Sequence, residues 1–117
     1  MNKELIIQRY KHPKYLNENI SFNGKSINSA CGDEIFVNVS VSNNIVNSVE
    51  YKGSGCSICL ATTDIVIDSI LGKTVKEVLK LDELYPLSLN GMNGDSPRKR
   101  CSTLGFEAIK SALISVQ

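Results

Sequence analysis

The alternation of apolar and polar residues between Ile35 and Tyr51 restricts the possible folds more than any other feature of this sequence. Alternate positions form one face in each half of the stretch: Ile35, Val37, Val39 and Val41, then Ile45, Asn47, Val49 and Tyr51. Such alternation is typical of half-buried β-strands. Ser42-Asn43-Asn44 separates the two halves, and asparagine tolerates the positive φ angles of tight turns. The sequence therefore predicts a β-hairpin.

Length and composition indicate a single small domain over 1–117. The 117 residues, 42% of them hydrophobic, can bury one modest core. A net charge of +1 argues against general attraction to nucleic acid or to a membrane surface. No segment reaches the roughly 18 apolar residues of a membrane span, and the polar N-terminus is unlike a secretory signal. We therefore expect a cytoplasmic protein whose four cysteines are metal ligands, reactive thiols or core residues.

The N-terminal part is expected to contain one short helix and a long connection. Glu4 to Tyr10 is compatible with a helix that ends at His12-Pro13, because the residue before a proline avoids helical backbone angles. Residues 14–30 carry Asn, Ser and Gly with few apolar side chains, and this composition indicates an extended, mobile connection.

Three further helices are predicted after the hairpin. Apolar residues at near-helical spacing over 57–71 indicate a buried helix, with Gly72 suited to follow its end. Thr74 and Glu77 form a capping box at the start of a second, short helix. Residues 81–97 are expected to be mostly loop. A final helix is marked by Ile109, Ala112, Leu113 and Val116.

Three cysteines and one aspartate, in three separate segments, are the candidate site residues. Cys31 and Asp33 flank a glycine, so in an extended strand their side chains leave the same face. Cys56 follows two glycines at a predicted strand-to-helix corner, and Cys101 is predicted at or just before the N-terminus of the last helix. Because helix N-termini favour thiolates, we expect Cys56 and Cys101 to be ionised near neutral pH.

The chemistry of these donors favours a soft metal. Three thiolates and one carboxylate can close a tetrahedral zinc site, or supply two terminal ligands to each iron of a [2Fe–2S] cluster. Aspartate is a weaker ligand for such metals than cysteine, which makes the site easier to open. Arg98 and Arg100 place positive charge beside Cys101, where it would offset the excess negative charge.

The same residues also have less specific interpretations. Cys59 is expected to be a core residue, with a redox pair with Cys56 as the alternative, although the βαβ pattern of thioredoxin-like proteins is missing. Asp33 could cap a turn, and residues 98–100 could be an ordinary solvated stretch. His12 lies beside proline in a polar segment and is predicted to be a surface residue.

The order and spacing of the motifs resemble the SufU/IscU/NifU family of iron–sulfur cluster assembly proteins over nearly the whole chain. The motifs that carry the resemblance are Tyr10-Lys11 with Pro13, Cys31-Gly32-Asp33, Gly53-Ser54-Gly55-Cys56-Ser57-Ile58, Gly72-Lys73-Thr74 and Arg98-Lys99-Arg100-Cys101-Ser102-Thr103-Leu104. The IscU branch has histidine before the last cysteine. Arginine at this position is more similar to the SufU branch, although the segment between Leu81 and Arg98 is shorter than in typical SufU proteins.

The resemblance implies an α+β fold, in which a small three-stranded antiparallel sheet packs against several helices (the SufE/NifU-like fold). It implies that one end of the fold holds zinc, iron or a transient [2Fe–2S] cluster on Cys31, Asp33, Cys56 and Cys101. It also implies a SufS-like cysteine desulfurase and apo iron–sulfur proteins as partners. We expect a monomer or weak dimer that binds neither nucleic acid nor a membrane.

The leading hypothesis is a zinc-binding sulfur acceptor, which would be a zinc-dependent sulfurtransferase. By similarity to SufU, Cys31 is the predicted persulfide acceptor, with Arg98 and Arg100 as supporting charges. The alternative is a non-enzymatic scaffold that assembles a [2Fe–2S] cluster and transfers it to apoproteins. A third interpretation is a structural zinc domain that only binds partners, and it predicts that Cys31→Ser unfolds the protein.

Overall fold

This computed structural model describes residues 1–116, which contain one antiparallel sheet and five helices. The strands are β1 (Gly24–Asn28), β2 (Asp33–Ser42) and β3 (Ile45–Ser54), paired in that order. The helices are α1 (Lys3–Lys11), α2 (Ser57–Ile70), α3 (Val75–Lys80), α4 (Tyr85–Asn90) and α5 (Lys99–Ser115). The predicted α+β fold with a three-stranded antiparallel sheet is confirmed. Within residues 1–116, no helix is both long and apolar enough to cross a membrane.

Strands β2 and β3 form the predicted hairpin. Asn43 and Asn44 occupy its turn with φ angles of 52° and 64°, as expected for asparagine in a tight turn. The predicted inward face of β3 is wrong near this turn, because Ile45 is 41% exposed and Val46 is buried. The pairing register shifts next to Val41. A bulge of this kind adds one residue to a strand and moves the alternation of its side chains by one position.

Strand β1 lies inside the segment predicted to be a mobile connection, so that prediction is wrong for residues 24–28. The strand pairs with β2 along its whole length. Its other edge faces α5, where the Lys25 N–H donates to the Ser111 hydroxyl at 3.3 Å. Gly24 approaches α5 so closely that an added Cβ would collide with the Ala108 carbonyl. Contacts with β2 and α5 therefore create a strand that its own composition does not indicate.

Helix α4 lies in residues 81–97, which were expected to be mostly loop. Pro86 occupies its first turn, where proline removes no helical hydrogen bond. The buried Asn90 side chain donates to the Thr62 hydroxyl at 3.0 Å and to the Ser102 hydroxyl at 2.9 Å. These bonds attach a helix of only six residues to both α2 and α5.

Helices α2 and α5 cross closely and pack over the inner face of the sheet. An added Cβ at Gly105 of α5 would collide with the side chain of Thr63 in α2. The largest fully buried side chains come from β2, β3, α2 and α5 and include Ile35, Tyr51, Ile67, Ile70, Leu104 and Phe106. This packing fixes the start of α5 beside the loop between β1 and β2.

A buried ion network holds α1 and the segment after it against α2. Asp64 accepts hydrogen bonds from Arg9 Nε at 2.7 Å and from the backbone N–H groups of Lys14 and Tyr15 at 3.0 Å each. The partly exposed Asp68 accepts from Arg9 Nη1 at 2.7 Å. Although burial lowers the pKa of Arg9, its two carboxylate partners raise it by more. The network therefore pairs the charges of Arg9, Lys14, Asp64 and Asp68 with one another.

Candidate metal centre

The loop between β1 and β2 presents the first two candidate donors. Asn28 and Asp33 form the last residue pair of the two strands, and Gly32 turns the chain with a φ of 76°. The Gly32 N–H donates to the Asn28 carbonyl at 2.8 Å, which closes the loop. Cys31 is exposed at its tip, whereas Asp33 at the start of β2 is buried. Glycine between them allows the positive φ that side chains disfavour.

Cys31, Asp33 and Cys101 form a compact group. Their ligand atoms all lie within 4.8 Å of one another. Asp33 Oδ2 is 3.4 Å from the Cys31 Sγ and 3.9 Å from the Cys101 Sγ. In a tetrahedral zinc site, with Zn–S near 2.3 Å and Zn–O near 2.0 Å, a ligand sulfur and a ligand oxygen are about 3.5 Å apart. The distances from Asp33 to the two sulfurs are close to this value, so these three donors could hold one metal ion.

Cys56 lies beside this group. It is the N-cap residue of α2 with an extended backbone, and its half-buried side chain caps no backbone N–H. Its thiol adjoins the thiol of Cys101 and the guanidinium of Arg98. It is not among the three residues of the described chain whose ligand atoms share the 4.8 Å limit. The fold thus gathers three of the four candidate donors and places the fourth next to Cys101.

Cys101 lies in the first turn of α5, slightly later than the predicted position at or before the helix N-terminus. Burial is the main cause that raises the pKa of its thiol to about 11, and the adjacent Cys56 adds to the effect. The expectation that Cys101 is ionised near neutral pH is therefore wrong for the free thiol. Loss of hydration outweighs the favourable contact with Arg98.

The two arginines that were expected to support the site have different environments. The exposed guanidinium of Arg98 faces the thiols, and its contact with Cys56 is the largest cause that raises the pKa of Arg98. Arg100 instead forms an ion pair with Glu107 and donates to the Ile27 carbonyl at 3.3 Å. Arg98 can therefore act directly on the thiols, whereas Arg100 ties α5 to β1.

Cys59 is fully buried, as predicted for a core residue, but it also lies close to the donors. An added Cβ at Gly55 would be 3.3 Å from the Cys59 Sγ and 3.3 Å from the Asp33 Cγ. The sequence alone left open whether Cys59 takes part in the site. The sequence signal for this proximity is the spacing from Cys56, since residues three apart share a helix face. His12 is exposed, as predicted for a surface residue.

The whole chain, residues 1–117, matches the family described as NifU-like N terminal domain. The chain therefore belongs to this family, and its resemblance to SufU, IscU and NifU proteins is confirmed. Within it, the named relatives are iron–sulfur cluster assembly proteins of the SufU and IscU types.

Two curated relatives represent these types. The zinc-dependent sulfurtransferase SufU of Bacillus subtilis is 24% identical over 131 residues, which cover 95% of this chain and 88% of that protein. The iron–sulfur cluster assembly scaffold protein IscU of Thermotoga maritima is 31% identical over 106 residues, which cover 77% of this chain and 73% of that protein.

A solved structure supports the same fold. It is titled as a candidate iron–sulfur cluster assembly scaffold protein for the SUF system, from Fervidobacterium islandicum AW-1. It is 26% identical and superimposes with a TM-score of 0.72 over 94% of each chain. The three-stranded sheet and its helices are therefore the arrangement of this family.

Proposed function

We propose that this chain is a zinc-binding sulfur acceptor in iron–sulfur cluster assembly, which takes persulfide sulfur from a cysteine desulfurase. The observation that carries the proposal is the position of Cys31. Its thiol is exposed at the tip of a loop, yet its Sγ is only 3.4 Å from the buried carboxylate of Asp33. Cys31 is thus open to a partner protein and close to the other donors.

The proposed step is a thiol exchange at Cys31. Its thiolate attacks the outer sulfur of a persulfide on the desulfurase cysteine. A sulfur–sulfur bond forms between Cys31 and this outer sulfur, while the bond to the desulfurase cysteine breaks. The desulfurase cysteine leaves as a thiolate, and Cys31 becomes the persulfide. The reactants and the products of this exchange each contain one persulfide and one thiolate, so no oxidant or reductant is needed.

We assign zinc binding to the four candidate donors: Cys31, Asp33, Cys56 and Cys101. When bound, zinc supplies positive charge that keeps the cysteines as thiolates. Asp33 and Cys101 are buried and would hold the site while Cys31 turns to a partner. Arg98, beside Cys56 and Cys101, would offset part of the negative charge of three thiolates and a carboxylate.

The comparisons support this proposal at the level of the family. The B. subtilis relative, named as a zinc-dependent sulfurtransferase, covers nearly the whole chain, although at 24% identity. The distances among three of the four donors and the chemistry of the whole set also suit zinc. A SufS-like desulfurase is the proposed sulfur source, and apo iron–sulfur proteins are the proposed recipients.

A scaffold function is the second candidate, because the 31% identical relative from T. maritima is named as a scaffold protein. In this function the chain would assemble a [2Fe–2S] cluster as cargo and pass it to apoproteins. The same four donors would serve, since two ligands to each iron are sufficient. Metal analysis separates the candidates: stoichiometric zinc in the purified protein supports sulfur transfer, and a reconstituted cluster delivered intact supports scaffolding.

A persulfide-transfer assay tests the leading proposal. The zinc-loaded chain is incubated with its desulfurase and L-cysteine, and sulfur uptake is measured as a mass gain of one sulfur atom. We expect Cys31→Ser to remove this uptake and to keep a wild-type circular dichroism spectrum.

Ser29→Ala is the matched control, since Ser29 is exposed in the same loop. It should take up sulfur as the wild type does. Uptake by Cys31→Ser at the wild-type rate would contradict the proposal. Unfolding of Cys31→Ser would instead favour a structural zinc domain.

A further inference from the structure

The thiol of Cys59 is not used by the proposed sulfur transfer, although it lies beside the donors. Cys59 is in the first turn of α2 and has 0% exposure. Its carbonyl accepts a hydrogen bond from the Thr63 hydroxyl at 2.8 Å. Within residues 1–116 its Sγ makes no hydrogen bond, so the thiol is buried without a polar partner.

The Cys59 thiol and the Asp33 carboxylate both border the space that a side chain at Gly55 would occupy. The point where a Cβ would stand is 3.3 Å from the Cys59 Sγ and 3.4 Å from Asp33 Oδ1. Cys31 and Cys101 contact the other oxygen, Oδ2. Cys59 therefore lies near the oxygen of Asp33 that these two cysteines do not contact.

The electrostatic surroundings agree with this position. Burial is the largest cause that raises the pKa of the Cys59 thiol, and all four candidate donors raise it further by repulsion between like charges. The pKa of a thiol at the far side of the core would not be raised by all four donors. Cys59 thus lies within the electrostatic field of the whole donor group.

We propose that Cys59 is a reserve sulfur donor, which binds the metal when Cys31 leaves it to accept sulfur. This inference rests on the proposed function, because it needs a metal held by Asp33 and Cys101. In the exchange the bond from Cys31 to the ion breaks, a bond from the Cys59 Sγ forms, and the Cys59 proton passes to solvent. The number of sulfur ligands is then unchanged while Cys31 is engaged with a partner.

Metal binding by Cys31→Ser tests this directly, because the variant imitates the site after Cys31 has left. Cobalt(II) is used as a zinc substitute, and the sulfur-to-cobalt charge-transfer absorption counts the coordinating thiolates. We expect Cys31→Ser to keep the intensity of three thiolates, as in the wild type. An intensity of two thiolates would overturn the proposal, and this readout requires no change at Cys59.

A second comparison measures affinity. Zinc binding is determined by competition with a chelator for the wild type, Cys31→Ser, Cys59→Ala and the double variant Cys31→Ser/Cys59→Ala. We expect Cys59→Ala alone to stay within about twofold of the wild type. The double variant should bind at least about tenfold more weakly than Cys31→Ser, since even changes to residues around metal ligands cost this much.

The outcomes separate this inference from the proposed function. Absence of stoichiometric zinc binding by the wild type would overturn both. Tight binding by the wild type, with equal affinities for Cys31→Ser and the double variant, would overturn only the role of Cys59. Thermal denaturation of the metal-free variants checks that a change in affinity does not come from unfolding.

Discussion

Two buried aspartates show how differently this fold accommodates a carboxylate. Asp64 in α2 has no exposed surface, and its oxygens accept hydrogen bonds from the Arg9 guanidinium and from two backbone N–H groups. Asp33 at the start of β2 is also buried, but its hydrogen-bonding contacts within residues 1–116 are two cysteine thiols. One carboxylate has a cation of its own chain as partner, and the other has only weak donors.

The difference indicates which buried charge is structural and which serves the site. A buried carboxylate is costly unless it is paired and hydrogen-bonded. The chain supplies the complete set of partners for Asp64, so this residue can contribute to folding without any ligand. Asp33 lies among sulfur atoms at metal-ligand distances, and a cation from outside the chain would complete its partners.

Breaking the Asp64 network should have the largest effect. We expect Asp64→Asn to lower the free energy of unfolding by about 3–5 kcal/mol, because it leaves the buried Arg9 guanidinium without its main partner. Urea denaturation measures the loss. Glu50→Gln, at an exposed residue of β3, is the control and should be near neutral. A loss below about 1 kcal/mol for Asp64→Asn would remove the contrast between the two aspartates.

Changing Asp33 should affect metal binding rather than folding. We expect Asp33→Asn to keep the metal-free stability within about 1 kcal/mol of the wild type, since the charge it removes has no cationic partner. Zinc affinity should fall by about 10-fold or more, measured by chelator competition. A large loss of metal-free stability with unchanged zinc affinity would assign Asp33 to folding and reverse our interpretation.

The smallest effect is expected at Asp68, on the exposed side of the network. Burial opposes the shift, but hydrogen bonds from Tyr15 and Arg9 lower the pKa of the Asp68 carboxyl. A lowered folded-state pKa means that its contribution is complete above the unfolded value of about 3.9 and is lost as pH falls through the folded value. Asp68→Asn should therefore cost up to about 1 kcal/mol near pH 7.

This cost should fade in acid, and denaturation curves of the two proteins at pH 7 and at stepwise lower pH would show it. A stability difference that stays constant down to the lowest pH would mean that Asp68 acts through its shape and not through its charge.

Elements with strong local signals could be predicted from the sequence. The asparagine turn, the helix that ends at His12 and the capping box of α3 are all present, the last with bonds of 3.0 Å and 3.1 Å between Thr74 and Glu77. Each depends on residues a few positions apart. Strand β1 and helix α4 lack such signals, because their partners lie in α2, α5 and β2.

The candidate site divides in the same way. The sequence indicated Cys31, Asp33, Cys56 and Cys101 as donors, and the fold places three of them within one ion's reach. The sequence did not distinguish the role of Arg98 from that of Arg100. The difference between the two arginines depends on where the start of α5 lies relative to the thiols and to β1.

By itself, the sequence determined the family, the hairpin and the identity of the candidate donors, because motifs and alternation are properties of neighbouring residues. Only the tertiary structure decided that Cys59 lies beside the donors, that Arg98 lies against Cys56 and Cys101 whereas Arg100 pairs with Glu107, and that burial raises the pKa of the free Cys101 thiol. Distances and hydration at a site arise where separate elements pack together. In this protein, the distances and the hydration at the site are set by the close crossing of α2 and α5 and by the packing of β1 on α5.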